Sequence, residues 1–463
     1  MDKSIKTLDS SAVNMLKQQI GGTVVLPGDP VYENSRKVYN AMIDKYPAII
    51  VYCTNAGDVI KAIKFAKQNE LAIAVRGGGH NGGGLGVCNN GMVIDLSGIK
   101  YVRVDPATKR VRVGGGNLLH EVDNATHTFG LAVPAGVVST TGVGGLVLGG
   151  GLGHLSRKYG LSVDNLLEAD LVLANGDFVT VNEKNYPDLF WAIKGGGGNF
   201  GIVTSFVFQA YNVDMVYGGV TLWPIEQTEQ IMAWYDKLMD EAPDELGGFI
   251  ALLEIPGPPF PENLHHKKFC AIVWCFSGDL REGEKIINRA REMKPVFEHV
   301  GPMPFPAMQS MFDGLLVPGL QWYWKADFFK NLSPEIGSIS KKFGNTIPTP
   351  LSQMHLYPIN GAAGRVNSTA TPWIHRDAKY SGVFIGVDPD PSNNEKITSW
   401  CKSFWNELHP YSSGGSYLNF EMKDESDEKI RNSFGKNYER LRKVKTKYDP
   451  ENVFRINQNI RPA

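Results

Sequence analysis

One histidine stands inside a run of glycines: Ala74-Val75-Arg76-Gly77-Gly78-Gly79-His80-Asn81-Gly82-Gly83-Gly84-Leu85-Gly86. Glycine accepts positive φ and lets the backbone approach something flat or charged. Successive exposed N–H groups in such a loop form a nest for phosphate oxygens. A nest with a nucleophilic imidazole predicts a nucleotide cofactor that His80 touches or bonds covalently. A glycine-rich turn with an incidental histidine is the other reading of these residues taken alone. The Rossmann pattern does not fit, because no clear helix follows the glycines.

Two further glycine clusters follow. Pro134 to Gly153 contains no charged residue, so it must be buried or must line a ligand. Gly195-Gly196-Gly197-Gly198-Asn199-Phe200-Gly201 is the third, running into the apolar stretch Ile202 to Phe208. Polar candidates come from two later strands by period-two spacing. Gln321, Tyr323 and Lys325 share one face, with Trp322 and Trp324 on the other, and Gln353, His355 and Tyr357 share a face of their own. Such polar groups fit the floor of a cavity, and the expectation is that both sets face the ligand.

These residues need a frame. Ala48 to Cys53 reads as a buried strand, and Thr54 to Asp58 supplies caps for a helix carrying Val59, Ile63 and Ala66. Leu71 to Val75 is the next strand, so a βαβ-like unit delivers the first glycine loop. Met92 to Leu96, the hairpin Tyr101 to Val113, a helix over Leu118 to Phe129, and strands Asp170 to Ala174 and Phe178 to Val181 follow. After about Asn212 the composition turns to aromatic strands and charged helices. Phe249 to Glu254 and Phe269 to Phe276 read as antiparallel neighbours, with helices over Ile225 to Met239, Leu280 to Met293 and Ile397 to Leu408. The middle is therefore α+β. Ser426 to Thr446 reads as one charged helix ahead of a separate tail.

Composition narrows the function classes. The chain has 463 residues, with Lys+Arg 47 against Asp+Glu 48, so no bulk charge draws nucleic acid or an anionic membrane. Five scattered cysteines give neither a disulfide framework nor a zinc pattern. The first fourteen residues are polar, and no apolar run reaches about 18 residues. The expectation is a cytoplasmic protein that meets no membrane.

Taken in order, Val75 to His80, Pro134 to Gly153, Gly195 to Phe208 and the tail ending Asn457-Gln458-Asn459-Ile460 resemble the berberine-bridge-enzyme-like FAD-linked oxidases. These belong to the vanillyl-alcohol-oxidase/p-cresol-methylhydroxylase flavoprotein superfamily, and the resemblance spans nearly the whole chain. It implies a two-domain α+β fold: an FAD-binding domain from residues 1–212 and 413–463, and an antiparallel-sheet substrate domain from 213–412. It implies FAD bonded through its 8α-methyl carbon to His80. It further implies cofactor contacts from Arg76, Gly77, Gly78, Gly79, Asn81 and Gly86; from Gly136, Val137, Val138, Thr140, Thr141, Gly142, Gly145, Gly150, Gly153 and His154; from Gly201, Ile202 and Val203; and from Tyr417, Asn457 and Asn459.

Departures from the family pattern carry information. Many relatives place a second flavin bond on a cysteine that precedes a proline. Here Val138 and Ser139 occupy those positions, so His80 is the sole expected tether. Thr141, close in size to the usual small aliphatic, leans toward access for molecular oxygen. The family's Tyr-X-Asn-Tyr becomes Tyr417-Leu418-Asn419-Phe420, which loses the second hydroxyl. Tyr417 is then the first candidate for a base or substrate anchor, followed by Tyr323, Gln353 and His355. The implied activity is hydride transfer from a CH–OH or CH–N small molecule to FAD, with oxygen reduced to hydrogen peroxide. A dehydrogenase using another acceptor, or a flavin-binding protein without turnover, are the alternatives.

Overall fold

The apolar runs become strands because each pairs with at least one neighbouring strand and buries its side chains against a packed layer. The computed structural model describes residues 5–424 and 426–463; residues 1–4 of the polar leading stretch and position 425 lie outside it. Ile49–Tyr52, Met92–Asp95 and Ile73–Arg76 lie parallel in a four-stranded sheet, with Thr23–Val25 antiparallel at its edge. The crossover helix Ala56–Gln68 is capped by Asn55, whose side chain accepts the N–H of Asp58 at 3.0 Å. Val59, Ala62, Ile63 and Ala66 press its apolar stripe onto that sheet.

A second sheet is antiparallel throughout: Val102–Asp105, Arg110–Gly114, Ile202–Gln209, Leu166–Val172, Phe178–Val181. A third carries seven antiparallel strands in the order Phe297–Pro304, Met215–Pro224, Lys268–Phe276, Leu246–Glu254, Gln353–Pro358, Tyr380–Asp388, Gln321–Phe329. Helices Thr228–Glu241, Pro334–Asn345 and Asn394–Leu408 cover one face of this sheet, packing Ile231, Phe343 and Phe404 into a shared core. The opposite face looks toward the glycine loops. This is the α+β architecture with an antiparallel sheet that the sequence implies.

Two readings need correction. The expected helix over 426–446 is two helices, Asp427–Phe434 and Tyr438–Tyr448, joined by a 3₁₀ turn at Gly435–Asn437. Gly435 sits at φ 44, which ends the first helix. The helix expected over Leu280 to Met293 is α-helical only over Leu280–Asn288 and tightens to 3₁₀ over Arg289–Met293. The sequence reading also passed over the edge strand Phe297–Pro304 and the helix Pro334–Asn345.

Candidate active site

The first glycine loop leaves the strand Ile73–Arg76 and passes directly under the second. A Cβ at Gly78 would lie 2.6 Å from the amide nitrogen of Gly142, so the two loops meet backbone against backbone. Only glycine permits that approach. Arg76 is a strut beneath the loop: its guanidinium pairs with buried Asp95 and donates to the Lys37 carbonyl at 3.1 Å.

His80 is half-buried, and its imidazole stacks on Tyr39 with ring centroids 3.8 Å apart. Tyr39 is itself fixed, donating its hydroxyl to the Leu316 carbonyl at 2.9 Å and its N–H to Gly79 O at 3.0 Å. Burial lowers the His80 pKa to about 4, so the ring is neutral near pH 7 and keeps a nucleophilic lone pair. Its Nε2 is enclosed and has no hydrogen-bond partner.

The cavity around it holds about 1830 Å³ of empty space, open mouth included. Arg76, Gly77, Gly78, Gly79, His80, Asn81 and Gly86 line it from the first loop. Gly136, Val137, Val138, Thr141, Gly142 and Gly145 line it from the second, and Gly201, Ile202 and Val203 from the third. Tyr417 and Asn457 close it from the tail, and the seven-stranded sheet supplies Trp322, Trp324, His355 and Tyr357. A side cavity opens off it past Val138, Leu316, His355 and Tyr357, running between Leu222, Phe249, Phe312 and Leu315.

Several expected residues stand elsewhere. Tyr323 points to the helix-covered face, where its hydroxyl donates to Asp424 at 2.8 Å; Trp322 and Trp324 face the cavity instead. Period two gave the right partition and the wrong side. Gln353 reaches only the side cavity. Gly150, at φ 129, lies under the rings of Trp373 and Tyr417. Gly153 and His154 border a small separate chamber, because the chain turns away from the main cavity there. Both His154 ring nitrogens are buried without partners. Thr140 is beside the wall but not part of it, and Asn459 lies in an outer groove with Arg442 and Arg461.

Tyr417 reaches the cavity, but its oxygen is already used. It accepts N–H groups from Gly151 at 3.0 Å, Leu152 at 3.1 Å and Asn419 Nδ2 at 2.7 Å. A phenol oxygen has two lone pairs, so none is left for a substrate proton. The base role expected for it gives way to anchoring the loop at Gly151. The sequence reading missed Tyr39 and both indoles. Tyr39 lies in no motif, whereas the Trp322/Trp324 alternation was visible but assigned to the other face.

The walls suit a long, flat, polar-tailed group such as FAD. Bare glycine backbone allows close approach, and the enclosed Nε2 of His80, Oδ1 of Asn457 and Nε1 of Trp322 and Trp324 await partners.

Known proteins bear this out. Residues 47–182 match the family model described as an FAD binding domain, and residues 416–461 match the one described as berberine and berberine like. An FAD-linked oxidoreductase of Dictyostelium discoideum is 31% identical, over 100% of this chain and 99% of its own length. The (R)-6-hydroxynicotine oxidase of Paenarthrobacter nicotinovorans is 29% identical, over 96% of this chain and 97% of its own. The crystal structure of 6-hydroxy-D-nicotine oxidase from Arthrobacter nicotinovorans superposes with a TM-score of 0.87 at 26% identity, covering 96% of this chain and 98% of that one. FAD is therefore the cofactor of this chain, which belongs to the berberine-bridge-enzyme-like FAD-linked oxidoreductases.

Proposed function

We propose that this protein is an oxidase that holds FAD covalently through His80 alone, takes hydride from a carbon beside nitrogen or oxygen, and passes the electrons to molecular oxygen as hydrogen peroxide. The observation that carries the reading is the neutral imidazole in the glycine nest, whose Nε2 is enclosed without a partner. FAD supplies the hydride acceptor; the chain supplies position and enclosure.

Tyr39 holds the His80 ring in one orientation by stacking and is locked by its own two hydrogen bonds. Gly77 to Gly79 and Gly142 give backbone N–H groups without side-chain bulk. Val138 has no nucleophile, which supports a single tether. Ser139, next to it, donates its hydroxyl and its N–H to Asp313, which fixes the segment beside the side cavity. Trp322 and Trp324 line the cavity from the sheet, with the Trp324 ring packed against Gly82 of the first loop. The kinship with a nicotine oxidase over nearly the full length supports a small-molecule substrate.

The test is direct. Protein unfolded in acid and run on a denaturing gel is expected to carry flavin fluorescence on its band, and His80→Ala is expected to release it. A colourless wild-type band with normal flavin binding refutes the tether. Dithionite-reduced enzyme that fails to reoxidise in air, or does so without peroxide, refutes the oxidase.

A further inference from the structure

We propose, building on the reading above that FAD is held at His80, that Asp313 is a positioning residue: clamped by Ser139, it latches residues 311–320 over the side cavity as a cover that gates entry to the flavin.

Residues 311–320 link the helix Phe305–Ser310 to the strand Gln321–Phe329. They form neither helix nor strand and are held in shape by tight turns. Asp313 N–H donates to Ser310 O at 3.1 Å, Leu315 N–H to Phe312 O at 3.0 Å and Leu316 N–H to Asp313 O at 3.2 Å. The side chains of Phe312, Leu315 and Leu316 line the side cavity, whose walls are completed by Leu222, Phe249 and Leu253 of the sheet. Gly314, Val317 and Pro318 are exposed. A segment outside every strand ladder, with a cavity beneath it and water above, belongs to the part of a fold that opens locally at low cost.

The two halves of the segment are fastened differently. The far half is held by three backbone-directed bonds. Ala41 N–H donates to Leu320 O at 2.8 Å, Gly319 N–H to Tyr39 O at 2.9 Å, and the Tyr39 hydroxyl to Leu316 O at 2.9 Å. The near half depends on Asp313, the only polar side chain in the segment. Its carboxylate accepts the Ser139 N–H at 3.2 Å and the Ser139 hydroxyl as well.

Ser139 is 3% exposed and follows Val138, which lines both the main cavity and the side cavity. The clamp therefore joins the cover to the wall residue at the junction of the two spaces. A proline at 139 would supply neither donor, since it has no N–H. No cation competes for the carboxylate: among the described residues Asp313 forms no ion pair. The groups that respond to its charge are acids, Asp123 and the Tyr39 phenol, each raised first by burial and then by Asp313. The two Ser139 donors thus set where Asp313 sits. Two charge-assisted bonds are strong enough to favour the closed cover and few enough to release it.

Sulfite tests this, because it bleaches oxidised flavin reversibly and requires no known substrate. It is applied to FAD-loaded wild type, Ser139→Ala, Asp313→Ala and the double variant. Asp313→Ala is expected to raise the rates of bleaching and of recovery together by about tenfold and to leave the sulfite Kd within about threefold of wild type, because a gate alters passage in both directions alike. Ser139→Ala keeps the N–H bond, so a smaller rise of about threefold is expected. The double variant is expected to match Asp313→Ala, since the hydroxyl then has nothing left to hold. Unchanged rates, a Kd shifted by more than about threefold, or a double variant equal to the product of the singles overturns the proposal. Deuterium uptake in the same proteins reads the latch without flavin chemistry. Residues 311–316 are expected to exchange about tenfold faster in Asp313→Ala, with the strand Lys268–Phe276 unchanged. Equal acceleration in that strand marks general loosening and overturns the proposal. The hold of His80 on FAD is scored separately by flavin fluorescence on the denatured band, so failure of that reading shows there and failure of the latch shows in the exchange.

Discussion

Lys445→Met tests how the tail is fastened to the cofactor loops. The side chains of Lys445 and Asp449 are both 0% exposed. The ammonium donates to Asp449 Oδ2 at 2.5 Å, Asn199 O at 2.8 Å and Phe454 O at 2.9 Å. Asp449 in turn accepts the N–H groups of Val453 at 2.7 Å and Phe454 at 2.9 Å. One buried cation thus joins the third glycine cluster to the segment that carries Asn457, whose Nδ2 donates to Gly198 O at 3.0 Å. Methionine keeps most of the stem and removes the charge. Breaking such a pair leaves an uncompensated buried carboxylate, at about 3–5 kcal/mol. Each carbonyl stripped of its donor adds about 1–3 kcal/mol, partly the same loss counted again. The expected destabilisation is about 4–6 kcal/mol, read from the urea midpoint of the FAD-loaded protein. Flavin loading is expected to fall with it. Lys445→Met combined with Asp449→Asn removes both charges and is expected to recover about 2 kcal/mol relative to the single change. A loss below about 1 kcal/mol for Lys445→Met, or a double variant no better than the single one, refutes the argument.

Two other perturbations follow from buried groups near the site. Asp123 has its pKa raised to about 8, first by burial and then by the Asp313 charge. A carboxyl raised on folding weakens the fold as pH climbs from its unfolded value of about 3.9 to about 8, and the loss is level above that. Asp123→Asn is therefore expected to leave stability unchanged near pH 4 and to raise it near pH 8 by an amount on the order of 5 kcal/mol, measured by urea unfolding at both pH values. Equal effects at the two pH values would contradict this. Tyr39→Ala removes the ring stacked on His80, a contact of about 1 kcal/mol, and is expected to slow flavin attachment roughly fivefold. Tyr39→Phe keeps the ring and is expected to attach flavin near the wild-type rate, followed as fluorescence gained on a denaturing gel.

The loops were legible in the sequence because backbone makes their contacts. Where Gly78 meets Gly142, composition alone reports the close approach, and uncharged Pro134 to Gly153 could only be buried. The sheet was less legible. Every residue of Gln321–Phe329 is buried, so no exposed face tells which set of alternating side chains looks inward. Polarity favoured Tyr323; instead that residue finds Asp424 beyond the sheet edge, and the indoles take the cavity. The same alternation did bring His355 and Tyr357 to the cavity wall. Tyr39 was illegible because its partner is 41 positions away and stacking leaves no spacing signature. The break at Gly435 was missed because charge patterning continued straight through it.

The two indoles in the sheet wall have an optical consequence. Tryptophan emits where oxidised flavin absorbs, so an isoalloxazine seated against Trp322 and Trp324 drains their excited state by energy transfer. Intrinsic emission should then dim as the cavity fills and recover when the ring is bleached. The protein thereby carries its own internal light meter for occupancy and redox state, with no added dye.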